Sequence, residues 1–390
     1  MRKNFLPFHQ PSIDDKEIKD VINVLKSGWL TTGPQTMQFE KDFSRYTGSK
    51  YAIAVNSGTA ALHLALEAIG LKAGDEVIVP TMTFAATAEV VRYFSAKPVL
   101  IDCNRDTFNI EIESVEKYLE NNSGIVKAII PVHIAGQSCD MDSIVKLARR
   151  YGLKVIEDAA HALPAKNKGK MVGTIGDITA FSFYATKNIT TGEGGMITTD
   201  NKEFADRIRI MSLHGISKDA WKRYTSEGSW YYEIIYPGYK YNLTDIASAI
   251  GINQLKKCDR FYERRKKIAD MYTEAFNESE TVEPPLVEQE NQHAWHLYII
   301  QLDLEKLTID RAGFINEMKA RNIGTSVHFI PLHMHPYYRE TYGYSQDDFS
   351  NASYVYQRIV SLPIYPKMTD NDVNDVIDAV KDITRSHMKR

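Results

Sequence analysis

The chain has 390 residues, of which 43% are hydrophobic, 25% charged and 11% aromatic, and its net charge is −3. This is ample for a packed core divided between two domains, and the slightly negative balance gives no basic footprint for nucleic acid. Three widely spaced cysteines (Cys103, Cys139, Cys258) make neither a disulfide framework nor a metal knuckle, and no apolar run suits a signal peptide or a membrane span, so a soluble, cytoplasmic, metal-free protein is expected.

In chain order, "YAIAV" reads as a short apolar strand, and "NSGTAALHLALEAIG" follows with helical periodicity and stops at Gly70. The strand "DEVIVP", the helix "FAATAEVVRYF" and the strand "KPVLID" come next. "VKAIIPVHIAG" reads as one further strand and "DMDSIVKLARRYG" as a helix. "LKVIED", "ITAFSF" and "GGMITTD" are strands, and "NKEFADRIRIMSLHG" is a helix. Strands alternating with helices of this length predict βαβ units and a mostly parallel sheet with helices on both faces. From about residue 245 the pattern changes. "DIASAIGINQLKKCDRFYERRKKIADMYTEAF" predicts a single long connecting helix, followed by the strand "WHLYIIQLD" and the helices "DRAGFINEMKARNI" and "TDNDVNDVIDAVKDIT". The expected organisation is a large α/β domain with an N-terminal arm over residues 1–250. Residues 251–390 would hold the connecting helix and a small α+β domain.

Four stretches carry chemistry. In "NSGTAAL", Asn56 and Ser57 can cap the following helix and Gly58 allows a tight turn; free N–H groups there suit an anion, although taken alone an ordinary cap is the better explanation. In "VIEDAAHA", Asp158 ends a strand where open α/β sheets hold ligands, with His161 three residues on. A carboxylate buried there needs a cationic partner or hydrogen bonds; the alternative is an exposed loop acid beside a satisfied histidine. In "SFYATKNITTGEGGM", Ser182 and Lys187 close a strand, and Glu193, Gly194 and Gly195 turn into the next. Twenty-nine residues separate Asp158 from Lys187, one strand-to-strand excursion, so the two can meet over one sheet edge. Lys187 is then either a solvated loop cation or a nucleophile whose pKa a desolvated pocket lowers. "GEGG" lacks the spacing of a phosphate-binding G-x-x-x-x-G-K-[ST] loop. In "PTMTFAATA", Phe84 either stacks on a flat ligand or fills the core. One ligand answers all four stretches. Pyridoxal 5′-phosphate (PLP) has a phosphate, an aldehyde for a lysine, a ring nitrogen that needs an acid, and a ring face.

These motifs resemble the DegT/DnrJ/EryC1/StrS family of sugar-nucleotide aminotransferases, a branch of the fold type I PLP-dependent transferases. The resemblance runs from "SGWLTTGP" through "AVNSGTAALHLAL", "IPVHIAGQ", "VIEDAAHA", "FSFYATKNITTGEGGM", "PGYKYNLTDI", "HAWHLYII" and "NIGTSVHF" to "SLPIYP". It implies Lys187 as the Schiff-base lysine and proton shuttle, Asp158 on the pyridinium nitrogen, and His161 beside the ring near its hydroxyl. It further implies Gly58, Thr59 and Ser182 on the phosphate, Phe84 stacked on the ring, and Asn242 reaching the phosphate in a neighbouring subunit, hence a homodimer. Substrate contacts are expected from Tyr184, Lys240 and His328. Members that dehydrate carry histidine at the lysine position, so lysine here favours transamination over a PLP-dependent sugar dehydratase. A non-catalytic regulator on the same fold is disfavoured by the negative charge and by the lack of a helix-turn-helix appendage. The later motifs resemble enzymes that aminate C4 of UDP-4-keto sugars, and "DAWKRYTSEGSWYYEI" points towards the spore-coat type. The implied substrates are glutamate and a UDP-4-keto-6-deoxy-N-acetylhexosamine, with a UDP-4-keto-pentose as the alternative. The implied setting is surface or spore polysaccharide biosynthesis.

Overall fold

The computed structural model describes residues 2–216 and 231–390, so most of the "DAWKRYTSEGSWYYEI" stretch lies outside the described residues. The main sheet begins with β1 (Tyr51–Val55), β2 (Glu76–Pro80), β3 (Lys97–Ile101), β4 (Val126–Ile129) and β5 (Lys154–Asp158). A small hairpin of β6 (Lys166–Asn167) and β7 (Lys170–Met171) precedes its last two strands, β8 (Ile178–Ser182) and β9 (Gly195–Thr199). The strand order is β1-β9-β8-β5-β4-β2-β3. Strands β3, β2, β4, β5 and β8 pair in parallel, and β9 runs antiparallel to both β1 and β8.

Alternate residues of these strands feed opposite cores, as the period-two pleat requires. Val77 and Val79 pack with Ala61 and Leu64 of the helix Gly58–Ala68, whereas Ile78 packs with Ile144 and Leu147 of the helix Met141–Tyr151. Helices therefore cover both faces, which is why "EVIVP" is apolar without alternation and buried throughout. A second, antiparallel sheet of β10 (Val282–Glu283), β11 (Tyr298–Leu302) and β12 (Ile359–Leu362) has its own core. There Ile300 and Val360 pack with Phe314 and Met318 of the helix Arg311–Ala320 and Val376 and Val380 of the helix Asp370–Ser386.

Two expectations are corrected. Residues 245–276 form two helices, Asp245–Lys256 and Cys258–Phe276, rather than one. Lys257 is the cap residue between them (φ −101°, ψ −2°), and its ammonium pairs with Glu17 and Asp14. The long strand read in "VKAIIPVHIAG" stops at Ile129, and the backbone closes into a short 3-10 turn over Ile134–Gly136, with Ala135 at φ 58°. Two N-terminal helices also appear. Asp15–Ser27 starts with a capping box between Asp14 and Glu17 and ends at Gly28 in left-handed geometry. Pro34–Thr47 starts at Gly33, which has no side chain to cap it. Asp245 substitutes from across the chain, accepting from the Gly33 N–H (2.8 Å), the Gln35 N–H (3.1 Å) and the Thr36 N–H (3.0 Å).

Candidate active site

A cavity of about 510 Å³ opens beyond the carboxyl ends of β2, β5 and β8. It brings together Gly58, Thr59, Phe84, Asp158, His161, Ser182, Tyr184, Lys187 and His328, nine of the eleven residues singled out from the sequence. Lys240 and Asn242 do not border it within one chain. They bond to each other instead, the Lys240 ammonium donating to Asn242 Oδ1 at 2.6 Å, while Asn242 Nδ2 donates to the Thr32 hydroxyl at 2.7 Å.

The floor is the start of the helix Gly58–Ala68. Ser57 is its N-cap, accepting from the Ala60 N–H at 3.0 Å, so the cap leaves the N–H groups of Gly58 and Thr59 free for an anion. Gly58 is required here because a Cβ would stand 2.9 Å from Ser182 Cβ. The helix thereby approaches the end of β8 closely enough for Ser182 Oγ to share the same anion.

Asp158 is 6% exposed at the tip of β5. Its Oδ2 accepts from the Thr87 hydroxyl at 2.8 Å and its Oδ1 from the Ala160 N–H at 3.2 Å. Burial pushes its pKa up, against those two donors and the Lys187 charge, which favour the ionised form. The carboxylate is thus oriented and half-compensated, and a cationic ring N–H is the partner it lacks. Lys187 stands in the turn after β8, its backbone N–H bonded to the Tyr184 carbonyl at 2.9 Å. Burial lowers its pKa to about 8 and the Asp158 charge opposes that shift, so a useful fraction is the neutral nucleophile near neutral pH.

His161 is held between two rings, His296 at 4.3 Å between centroids and Phe329 at 5.7 Å and 23°. Burial, with the Lys187 and His328 charges behind it, holds His161 well below the ordinary histidine range, so it acts as a neutral imidazole. Its Nδ1 is buried and has no protein partner. Phe84 is 63% exposed, which removes the core-filling reading, and its ring lies 6.0 Å from Phe329 at the cavity wall. His328 Nδ1 bonds the Ser361 hydroxyl at 2.8 Å, and burial followed by the Lys187 charge lowers its pKa to about 4. Tyr184 is 47% exposed and free to meet a ligand at the cavity mouth.

The lining residues that sequence reasoning missed include two with defined hydrogen bonds. Thr87, hidden in the apolar run "FAATAEVV", orients Asp158. His296, in "HAWHLYII", has its Nδ1 3.0 Å from Asn188 Oδ1. Both Asn188 amide protons are spent on the Leu163 and Ala294 carbonyls, so the histidine is the donor and keeps a bare Nε2. No local motif marks either role.

The donor set fits PLP. Two free helix N–H groups and a serine hydroxyl suit the phosphate, a buried carboxylate without a cation suits the ring nitrogen, and a lysine of depressed pKa suits the aldehyde. Comparison with known proteins agrees. Residues 11–381 match the DegT/DnrJ/EryC1/StrS aminotransferase family. The chain is 57% identical over 383 residues to the uncharacterized protein MJ1066 of Methanocaldococcus jannaschii, covering 98% of each. It is 51% identical over 385 residues to the spore coat polysaccharide biosynthesis protein SpsC of Bacillus subtilis, again covering 98% of each. Among solved structures, the Streptococcus pneumoniae protein Spr1654, described as a sugar aminotransferase, matches in its pyridoxamine-phosphate (PMP) and PLP forms. Both superpose with a TM-score of 0.90, at 34% and 33% identity, covering 98% of this chain and 99% of that one. The chain therefore belongs to the DegT/DnrJ/EryC1/StrS aminotransferase family, and is a PLP-dependent sugar transaminase of fold type I.

Proposed function

We propose that the protein moves an amino group from glutamate to C4 of a UDP-4-keto-6-deoxy-N-acetylhexosamine, in surface or spore polysaccharide biosynthesis. The observation that carries this reading is the meeting of Lys187, Asp158, His161 and the Gly58 helix start in one cavity, in a chain 51% identical to a spore coat polysaccharide biosynthesis protein. When bound, PLP supplies an electron sink for the carbanion that forms as the amine is transferred.

The chain's own groups do the rest. Lys187 Nζ would hold the cofactor's aldehyde and, as a neutral amine, would take and return the proton at the reacting carbon. Asp158, oriented by Thr87, keeps a proton on the ring nitrogen. His161 holds a neutral ring beside the cofactor hydroxyl, and Phe84 covers the ring face. Gly58, Thr59 and Ser182 bind the phosphate. The sugar nucleotide lies towards Tyr184 and His328, and Lys240, which does not border the cavity of its own chain, would offer a cation to a diphosphate only across a dimer interface.

Incubation with glutamate and a panel of UDP-, GDP- and dTDP-4-keto sugars tests the substrate class. Turnover confined to a UDP-4-keto-pentose, or to a GDP or dTDP sugar, would overturn the assignment. His328→Ala should raise the sugar's KM roughly tenfold, the loss of one hydrogen bond at the upper end of its range. The half-reaction with glutamate should be unchanged, because it involves no nucleotide. Equal failure of both half-reactions would move His328 to the cofactor site or to the fold.

A further inference from the structure

Lys187 borders a second, much smaller cavity of about 10 Å³, shared with His9, Pro11, Asn188, Thr190 and Arg265. That is room for one occupant the size of a water molecule. Arg265 is 1% exposed, and no carboxylate among the described residues pairs with it. Its Nη1 donates to the carbonyls of Trp295 (3.1 Å), His296 (3.3 Å) and Ile364 (2.7 Å), but its Nε and Nη2 are buried without a partner. On the arm, His9 Nε2 is also buried without a partner. The other ring nitrogen of His9 donates to the Ala185 carbonyl, and burial keeps the ring neutral, so Nε2 is a bare acceptor.

Arg265, with two unpaired donors, and His9, with one unpaired acceptor, thus both border a void of one-molecule size. Buried polar groups left unmatched in this way are costly and rare. An occupant must accept twice and donate once. A halide can only accept and an ammonium can only donate, whereas water does both. We propose that this void is a resident water site, in which one water accepts from Arg265 Nε and Nη2 and donates to His9 Nε2. The three hydrogen bonds match the usual number for a buried water. The water ties the N-terminal arm to the helix Cys258–Phe276 in a cavity that Lys187 also borders, and Gln254 Nε2 ties the arm to the preceding helix directly, donating to the Ser12 carbonyl at 2.8 Å. Being neutral, it adds no counter-charge behind the lysine.

The test is a crystal structure of the PLP-loaded protein grown in sodium bromide. A single water-like peak within hydrogen-bond reach of Arg265 and His9, without anomalous signal, is expected. An empty void, or an anomalous bromide peak there, would overturn the proposal. In solution, His9→Leu should lower Tm by roughly 2–4 °C and speed amide exchange over residues 187–190. His9→Gln, which can restore a carbonyl acceptor, should recover most of both. An unchanged His9→Leu, or equal losses in the two variants, would show that the acceptor holds no water.

Discussion

Burial disfavours the charge on Lys187 and on Asp158. For the lysine this gives a pH dependence of definite sign. Its pKa in the fold is lowered to about 8, so the neutral nucleophile gains population as pH rises through that value. Capture of PLP by the apoprotein, followed by its visible absorption, should therefore accelerate across pH 8 and level off above it; a rate independent of pH there would place the reacting amine elsewhere. Lys187→Ala should fold, lose that absorption and nearly all turnover, and an unchanged spectrum would mean another lysine forms the Schiff base. Asp158→Asn should still bind PLP but turn over roughly a hundredfold more slowly, because a neutral amide cannot hold the ring nitrogen's proton. Near-native kcat in that variant would remove the assigned role.

At the scale of elements, the fold depends on a cap supplied from a distance. Asp245 heads the helix Asp245–Lys256 and also closes the helix Pro34–Thr47, accepting the Thr36 hydroxyl at 2.7 Å besides the three backbone donors. Asp245→Ala should cost about 2–4 kcal/mol in urea denaturation, a lost cap plus buried donors left unpaired. A loss below about 0.5 kcal/mol would mean that water replaces the carboxylate at no cost. Such long-range ties explain what the sequence could and could not reveal. The strands of the main sheet were legible because each is a short apolar run bounded by polar residues, and the Ser57–Gly58 start because caps are local. The break at Lys257 has no glycine or proline to mark it, and the side chain there pairs with Glu17, far off in the chain. The Asp14–Glu17 capping box was a readable signal for the first helix. Thr87 and His296 carried none, since their roles arise only when the sheet order sets three distant segments side by side.

For the whole molecule, we propose a division near residue 250 into a large cofactor-binding unit and a smaller C-terminal one, with the arm as an exception. Leu6 bonds to Asn322 and Gly324, both at 2.8 Å, and packs in the core of the smaller sheet, so the chain's start serves its end. No helix among the described residues is long and apolar enough to cross a membrane. The apolar stripe on the helix Asp15–Ser27, where Ile18, Ile22 and Leu25 are 53%, 43% and 52% exposed, is suited instead to cover by another protein surface. A second copy of this chain is the occupant we propose. Asn242 gives the reason, because it bridges to Val55 beside the cavity's sheet yet borders no part of the cavity in its own chain. Its carbonyl is held by Lys240 and its amide by Thr32, so the pair is fixed in place without serving the site of its own subunit. In a two-fold dimer such a residue can face the partner's phosphate site. Sedimentation should then show at least a dimer. Asn242→Ala should remain folded by circular dichroism while losing PLP several-fold faster on dialysis, the effect of one phosphate hydrogen bond. A fully active monomer would overturn the shared site, and so would an Asn242→Ala dimer that retains PLP like the wild type.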